Sequence, residues 1–135
     1  MIDVSAAIRT FLAYDGALVA LVGTRLWAET DVPAAGYKPS DGGALCFKVR
    51  GGLPDFSAAL YTPSVQFKAY GATALAANAV YRALFTALQD TRKGGIVRWA
   101  QCEALGQTYF EPATTSSTPW PVVLCYFSIY VANTE

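Results

Sequence analysis

Histidine is absent from the 135 residues of this sequence. Because histidine is the commonest general base and the commonest metal ligand, its absence excludes catalytic triads built on a histidine base. The carboxylates are scattered, with Glu29 and Asp31 as the only close pair, so nothing indicates that several converge on a metal ion. The glycine pairs at 51–52 and 94–95 stand alone and do not form a phosphate-binding motif. The sequence therefore predicts no catalytic site, no metal and no cofactor.

Charge is also scarce, since charged residues make up 15% of the chain and ten Lys and Arg balance ten Asp and Glu. Without a basic excess, the chain lacks the phosphate-neutralising charge on which nucleic-acid binding depends. Hydrophobic residues make up 53% of the sequence. A monomer of this size usually has a more charged surface. We therefore expect partners to cover part of the apolar surface, as in a component of an assembly.

Cysteine is limited to three residues, Cys46, Cys102 and Cys125, whose spacing matches no metal-binding motif. Each lies in an apolar run, which is typical of a buried, reduced thiol. The chain begins Met1-Ile2-Asp3, with an acid where a secretory signal has basic residues. We expect a soluble protein that is made in the cytoplasm.

Hydrophobic periodicity predicts a single domain over 1–135 that alternates helices and strands. Because the predicted strands follow one another through loops, they should pair mainly antiparallel. The prediction is an α+β two-layer sandwich, a mainly antiparallel four- to five-stranded sheet with two helices packed on one face. The predicted helices are 4–14, capped by Asp3, and 73–90, with a short helical turn at 17–22 capped by Asp15; the strands are 25–27, 44–50, 64–70, 96–105 and 122–131; the long loops are 28–43 and 106–121.

The helix predicted at 73–90 is apolar over most of its circumference. Its wide apolar face begins at Leu75 and ends at Leu88, while Asn78 and Arg82 belong to a narrow polar stripe. Such a helix lies beneath other elements or at a subunit contact.

Aromatic residues make up 13% of the sequence, and several fall in or beside the predicted loops. These loop aromatics either anchor the loops on their own domain or contact a partner, and the sequence leaves both alternatives open. Lys and Arg are absent from 51–66 and 105–135, so a stacking platform for single-stranded nucleic acid is not indicated. The loop aromatics are Phe56, Tyr61, Tyr109, Phe110 and Trp120, and the candidate protein-interface residues are Leu53, Phe56, Leu60, Tyr61 and Trp120.

Three segments resemble the tail-completion, or tail-terminator, proteins of long-tailed bacteriophages. The first is the N-terminal alanine-rich helix followed by Asp15 and the run 18–26, LVALVGTRL. The second is the strand 65–71, VQFKAYG, which leads into the alanine-rich helix. The third is the run 107–112, QTYFEP, followed by a loop and an amphipathic last strand. The resemblance extends over nearly the whole chain in order and spacing.

That resemblance implies a virion structural protein without enzymatic activity. Proteins of this kind form a ring, usually six-fold, which caps the finished tail tube and stops its polymerisation. The implied partners are further copies of the chain, the tail-tube protein and the head-tail connector or stopper protein. No membrane and no sequence-specific nucleic acid are implied, although DNA passes through the ring lumen. The implied location is the virion tail or neck, assembled in the host cytoplasm. Within such a ring we expect the segment 53–61 to face the tube, because it is the most apolar loop and carries few charges.

Two alternatives remain open at this point. In the first alternative, the chain is another neck or tail part, such as a head-closure stopper or the tube subunit. In the second, it is a small α+β ligand-binding domain. The ligand-binding alternative depends on a convergent polar set, for which the sequence offers Gln66, Lys68 and Tyr70 on one face of a strand.

Overall fold

A computed structural model describes residues 2–54, 60–89, 95–112 and 118–133 of the chain. Within these ranges, three helices and five strands follow one another, with one 3-10 turn at Pro39–Asp41. The helices are α1 (Val4–Ala13), α2 (Gly16–Val22) and α3 (Ala74–Leu88), and the strands are β1 (Leu26–Ala28), β2 (Ala44–Pro54), β3 (Leu60–Tyr70), β4 (Val97–Glu111) and β5 (Trp120–Ala132).

The strands form one sheet in the order β1-β2-β3-β5-β4. Every neighbouring pair is antiparallel except β1 and β2, which are parallel. The predicted α+β class and mainly antiparallel sheet are confirmed. The predicted helical turn at 17–22 is a helix of seven residues, so three helices rather than two accompany the sheet.

Side-chain caps determine where the first two helices begin. The Asp3 carboxylate accepts a hydrogen bond from the backbone N–H of Ala6 at 3.0 Å, and Asp15 does the same for Leu18 at 3.0 Å. Both caps satisfy a backbone donor that the first helical turn leaves free.

No single helix among the described residues is long and apolar enough to span a membrane; α1 and α2 pass that test only as a pair, and they meet at 91°.

The main core lies between one face of the sheet and the three helices. Alternate residues of β3, namely Val65, Phe67 and Ala69, point into it, as the period of two predicts. Matching alternate residues of β2 and β5 extend this apolar layer across the sheet. The helices close it with Ile8, Leu12, Leu18, Val22, Ala77, Val80, Leu84 and Leu88.

The opposite face of the sheet is covered in one part by residues 29–43, which we call the strap. Tyr37 of the strap packs edge-on against the rings of Trp27, Tyr70 and Trp120. These rings belong to a second buried cluster, the strap-side cluster, which has no member in common with the main core. Its buried members are Tyr37, Ala44, Cys46, Tyr70, Trp120 and Val122.

The predicted end of the second strand at Arg50 is wrong, because β2 continues through Gly51 and Gly52 to Pro54. The pairing with β3 shifts register between Val49 and Gly52, and both glycines have positive φ values, 91° and 144°. Glycine adopts this conformation without steric cost, so the pair forms a bulge that bends the strand instead of ending it. The strand predicted at 64–70 begins earlier than expected, since β3 starts at Leu60.

The loop predicted at 106–121 is also wrong at both of its ends, since β5 begins at Trp120. β4 continues to Glu111, and its last five residues pair with the start of β5, from Gln107 opposite Leu124 to Glu111 opposite Trp120. Register shifts before Gln107 accommodate Gly106 within the strand. Tyr109, Phe110 and Trp120 therefore lie in strands.

Candidate functional site

The predicted interface residues do not form one cluster. Leu53, Leu60 and Tyr61 lie at the same end of the sheet, where the backbone of Leu53 pairs with Thr62 and Tyr61 pairs with Pro54. Trp120 lies at the opposite end of β3, beside Tyr70. Phe56 lies outside the described residues.

Tyr61 borders an open groove of about 540 Å³ between that end of the sheet and the N-terminus. Ile2, Val4 and Val49 supply apolar walls, and Glu29 lies at the rim. The Glu29 carboxylate accepts hydrogen bonds from the Ser5 hydroxyl and from the Val49 N–H. Since its carboxylate already holds the N-terminal helix to β2, Glu29 has a structural role there.

Trp120 has 6% of its surface exposed and packs among the aromatic rings of the strap-side cluster. Of the two alternatives for the loop aromatics, the structure gives Trp120 an anchoring position on its own domain. Little of its surface is available to a partner while the strap covers it.

Large apolar side chains are exposed on and beside β4. Leu105 and Phe110, on the strand, are 72% and 61% exposed, and Leu75 at the start of α3 is 82% exposed. Asn78, in the next turn of α3, donates a hydrogen bond to the Thr108 hydroxyl at 3.1 Å, which places the start of α3 beside this part of β4. We call Leu75, Leu105 and Phe110 the β4 patch.

β4 also has an unpaired edge. It pairs with β5 on one side, and within the described residues the only backbone pairing on its other side is the bridge between Gln89 and Ala100. From Ala104 to Phe110 the strand carries no charged residue and no proline. Monomeric proteins usually protect edge strands with charges, proline or a covering element. Between Ala104 and Phe110 this edge has neither charge nor proline, and Tyr81 of α3 bonds it at Gly106.

Exposure is high along this part of β4. Glu103, Ala104 and Leu105 are exposed in succession, and Gln107 and Thr108 are both exposed. Gln107 and Thr108 pair in regular register with β5 and point to opposite faces, so both faces of the sheet are uncovered at these two positions. The β4 patch therefore belongs to an accessible rim of the molecule, unlike the strands at the centre of the sheet.

α3 contacts β4 at Gly106. The Tyr81 hydroxyl accepts a hydrogen bond from the Gly106 N–H at 2.9 Å, and a Cβ atom at this position would lie 2.8 Å from the Tyr81 ring. Glycine is thus required by space, and this contact fixes α3 against the strand.

The polar residues Gln66, Lys68 and Tyr70 are joined to groups of the same chain. Lys68 Nζ donates to Glu111 at 2.6 Å and to the Asp31 carbonyl oxygen at 3.0 Å, while the Tyr70 hydroxyl donates to Glu111 at 2.8 Å. Gln66 Nε2 donates to the Asp31 carboxylate at 2.8 Å. These donors lie on β3 and join it to the strap and to Glu111 of β4. The three residues therefore do not form an open ligand site.

The charges of this network alter the acidity of its members. Burial raises the pKa of Glu111, but hydrogen bonds from Lys68, Tyr109 and Tyr70 outweigh burial and lower its pKa below the ordinary value. The Lys48 ammonium beside Asp31 lowers the pKa of that carboxyl group. Both carboxylates are therefore held ionised. No group of three or more His, Cys, Asp or Glu residues that would hold a metal ion occurs in the described part of the chain.

The β4 patch was not among the residues predicted from the sequence. In the sequence, Phe110 is only a loop aromatic, because residues 106–121 lack a clear alternation. Leu75 belongs to the apolar face of its helix, and that pattern does not show that the side chain is exposed. The β-forming run Thr108-Tyr109-Phe110 was the signal that the strand continued.

No protein-family profile matches the chain. No curated protein matches it in sequence. Among solved structures, it is similar to a chain from a structure described as the virion of a native gene transfer agent (GTA) particle, with a TM-score of 0.57 and 16% sequence identity. The match covers 96% of this chain and 95% of that chain. At this identity, the likeness shows that the two chains share a fold along nearly their whole length.

Proposed function

We propose that this chain is a structural protein of a phage-like virion and that it forms the ring that terminates a tail tube. The observation that carries the proposal is the fold shared, from end to end, with a chain of a gene transfer agent virion. The tail-terminator role rests on the resemblance of three sequence segments to that family. In this role the chain has no catalytic activity, cofactor or metal, and it resides in the tail or neck of the virion.

The β4 patch supplies one side of the contact between neighbouring copies in this proposal. A ring with one kind of contact requires two different surfaces on each subunit, because each copy meets its two neighbours through opposite sides. The unpaired edge of β4 and the three-residue edge strand β1 lie at opposite ends of the strand order. Burying Leu105 and Phe110 against the next copy would remove the exposed apolar surface that the composition indicates.

The end of the sheet that holds Leu53, Leu60 and Tyr61 faces the tail tube in this proposal. Their clustering at one end of the β2–β3 pair, away from the β4 patch, leaves this end available for a different partner. The opposite side of the ring then meets the connector or stopper protein, and DNA passes through the lumen.

The ring proposal is tested by the mass of the purified protein in solution and by electron microscopy of the particles. A terminator stops at a closed ring, a tube subunit continues into filaments, and a ligand-binding domain remains a monomer or a small oligomer. Closed rings with a six-fold mass are the expected result. Filaments or monomers would overturn the ring.

The contact itself is tested by a double substitution, Leu105→Ser with Phe110→Ser. We expect the variant to keep its circular dichroism spectrum and to lose ring formation, because both side chains are exposed in the single chain. The matched control is Tyr14→Ser, which removes an aromatic ring that is 86% exposed at the end of α1. If the double variant forms rings as the control does, the β4 patch is not the contact.

The tube-facing end is tested by Leu60→Ser combined with Phe56→Ser. We expect the folded variant to form rings but to fail in capping, so that tails grow beyond their normal length. Normal tail lengths with this variant would show that the segment 53–61 does not face the tube. That result would not contradict the proposal that the chain forms a ring.

A further inference from the structure

The strap is attached to the sheet by the hydrogen bonds of Asp31, near its start, and by the buried ring of Tyr37. The Asp31 carboxylate accepts hydrogen bonds from Lys48 and Gln66, both at 2.8 Å, and the Asp31 carbonyl oxygen accepts one from Lys68 at 3.0 Å. The ion pair with Lys48 is solvent-exposed, with side-chain exposures of 39% and 47%. Exposed ion pairs contribute little to stability, so the pair between Asp31 and Lys48 holds the strap only weakly.

The two ends of the strap have backbone conformations suited to hinges. Glu29 has a φ of 56°, an uncommon value for a residue other than glycine, and Gly42 has a φ of 126°. The φ of Gly42 favours glycine, and a Cβ atom there would lie 2.3 Å from the guanidinium at the flexible end of the Arg25 side chain. Between these ends, the ring of Tyr37 inserts into the strap-side cluster and its hydroxyl donates to the Gly42 carbonyl oxygen at 2.8 Å.

The cluster beneath the strap and the main core are separated by the sheet. The cluster lies on the other face of the sheet and has no residue in common with the core. Removal of the strap would uncover Cys46, Tyr70 and Trp120 while the helices remain packed on their own face. Proteins open in such local units when few buried contacts join the unit to the rest.

From this arrangement we infer that residues 29–43 form a hinged cover, which opens as a unit between Glu29 and Gly42 and exposes an apolar sheet surface while the main core stays folded. The inference does not depend on the ring. It has one consequence for assembly: Trp120 is available to a neighbouring protein only in the open state.

Two buried cysteines make the opening measurable without any substitution. Cys46 lies beneath the strap and Cys125 lies in the main core, and each has 1% of its surface exposed. Burial raises the pKa of Cys46 to about 12 and also raises the pKa of Cys125, so neither thiol reacts in the closed molecule. When closing is fast relative to modification, the rate of modification reports the population of the open state.

The experiment follows modification of the folded protein by a maleimide at several urea concentrations, with the modified cysteine identified by peptide mass spectrometry. We expect Cys46 to react at least about tenfold faster than Cys125, because a local opening costs less than global unfolding. We also expect a weaker urea dependence at Cys46, since less surface is exposed. Equal rates with equal urea dependence would overturn the inference, as would a Cys46 that reacts as fast as an unfolded thiol.

Asp31→Asn tests the attachment, since it removes the charge paired with Lys48 and retains an oxygen for Gln66. We expect modification of Cys46 to become about two- to fivefold faster, the range given by an exposed ion pair, with Cys125 unchanged. Glu103→Gln is the matched control, because Glu103 lies on the same sheet face and bonds Ser64 and Ser128 instead of the strap. An Asp31 variant that behaves as this control, or that accelerates both cysteines equally, would contradict the proposed cover.

Discussion

The two faces of the sheet differ in how they are covered. Three helices with apolar faces cover one face, and the buried residues there are aliphatic or phenylalanine except for Cys125. A strap without regular structure other than one 3-10 turn covers part of the other face, where tyrosine and tryptophan rings bury their apolar parts and the Tyr37 and Tyr70 hydroxyls donate hydrogen bonds. The helix side therefore depends on area and packing, whereas the strap side depends on a few directional contacts.

This difference bears on which parts of the chain move together. The ring of Phe127 in the main core lies 5.8 Å from that of Phe67 and 6.0 Å from that of Phe85, which joins two strands and α3. Tyr37 joins a single loop to the sheet. A change on the helix side should thus affect the whole domain, and a change on the strap side should affect a local unit.

The largest effect is expected from Phe127→Ala, at the centre of the main core. Phe127 is fully buried, and loss of its ring leaves a cavity between elements that cannot close around it. We expect the free energy of unfolding to fall by about 3–5 kcal/mol. Urea unfolding followed by circular dichroism measures this, with the exposed Tyr14→Ala as control. A loss as small as that of the control would show that the main core does not carry the stability of the domain.

A smaller loss is expected from Tyr37→Ala, although it also removes a buried aromatic ring. The strap can open while the rest of the domain stays folded. Its contribution to the free energy of unfolding is therefore limited to the free energy of strap closure. We expect the free energy of unfolding to fall by about 1–3 kcal/mol, less than for Phe127→Ala. The cost of a removed side chain depends on how far the surrounding structure relaxes. Equal losses in parallel urea titrations would remove the distinction between the two faces.

Lys68→Met tests the charge balance on the strap side. The wild-type pKa of Glu111 is lowered, so the stability that its ionised form contributes is present above its ordinary pKa of 4.5 and is lost as the pH falls through the folded-state pKa. Without Lys68, burial opposes ionisation with less compensation, and the pKa of Glu111 should rise. The carboxyl carbon of Glu111, followed by NMR from pH 2 to pH 7, roughly the range in which carboxyl groups titrate, reports the change. An unchanged pKa would mean that the two tyrosine hydroxyls alone hold the carboxylate ionised.

The sequence predicts the helix side of the molecule better than the strap side. Val65, Phe67 and Ala69 alternate with polar residues, and Asp3 and Asp15 precede apolar runs, so β3 and the starts of two helices follow from local patterns. The position of Tyr37 against Trp120 joins residues far apart in the chain, and no period of two or 3.6 marks it. The strap was predicted as a long loop, but its place over the sheet depends on packing between distant segments.

The candidate contact surface was missed for a related reason. Gly106 interrupts the alternation in β4, and it is retained there because Tyr81 of α3 occupies the space of a side chain. That requirement comes from tertiary packing, so the sequence pattern alone indicates a break. The exposed position of Leu75 likewise depends on where α3 begins relative to the rim of the sheet.

The smallest effect is expected from Lys48→Met, which removes the exposed ion pair with Asp31 and leaves the bonds from Gln66 and Lys68 in place. We expect a loss of less than about 1 kcal/mol in the free energy of unfolding. Salt screens exposed charges, so the difference between wild type and variant should shrink further at about 1 M salt, where the screening length falls to about 3 Å. Paired urea titrations at low and high salt measure both quantities. A loss as large as that from Tyr37→Ala, and insensitive to salt, would mean that this ion pair closes the strap as firmly as its buried ring does, and the strap side would then resemble the helix side in its resistance to opening.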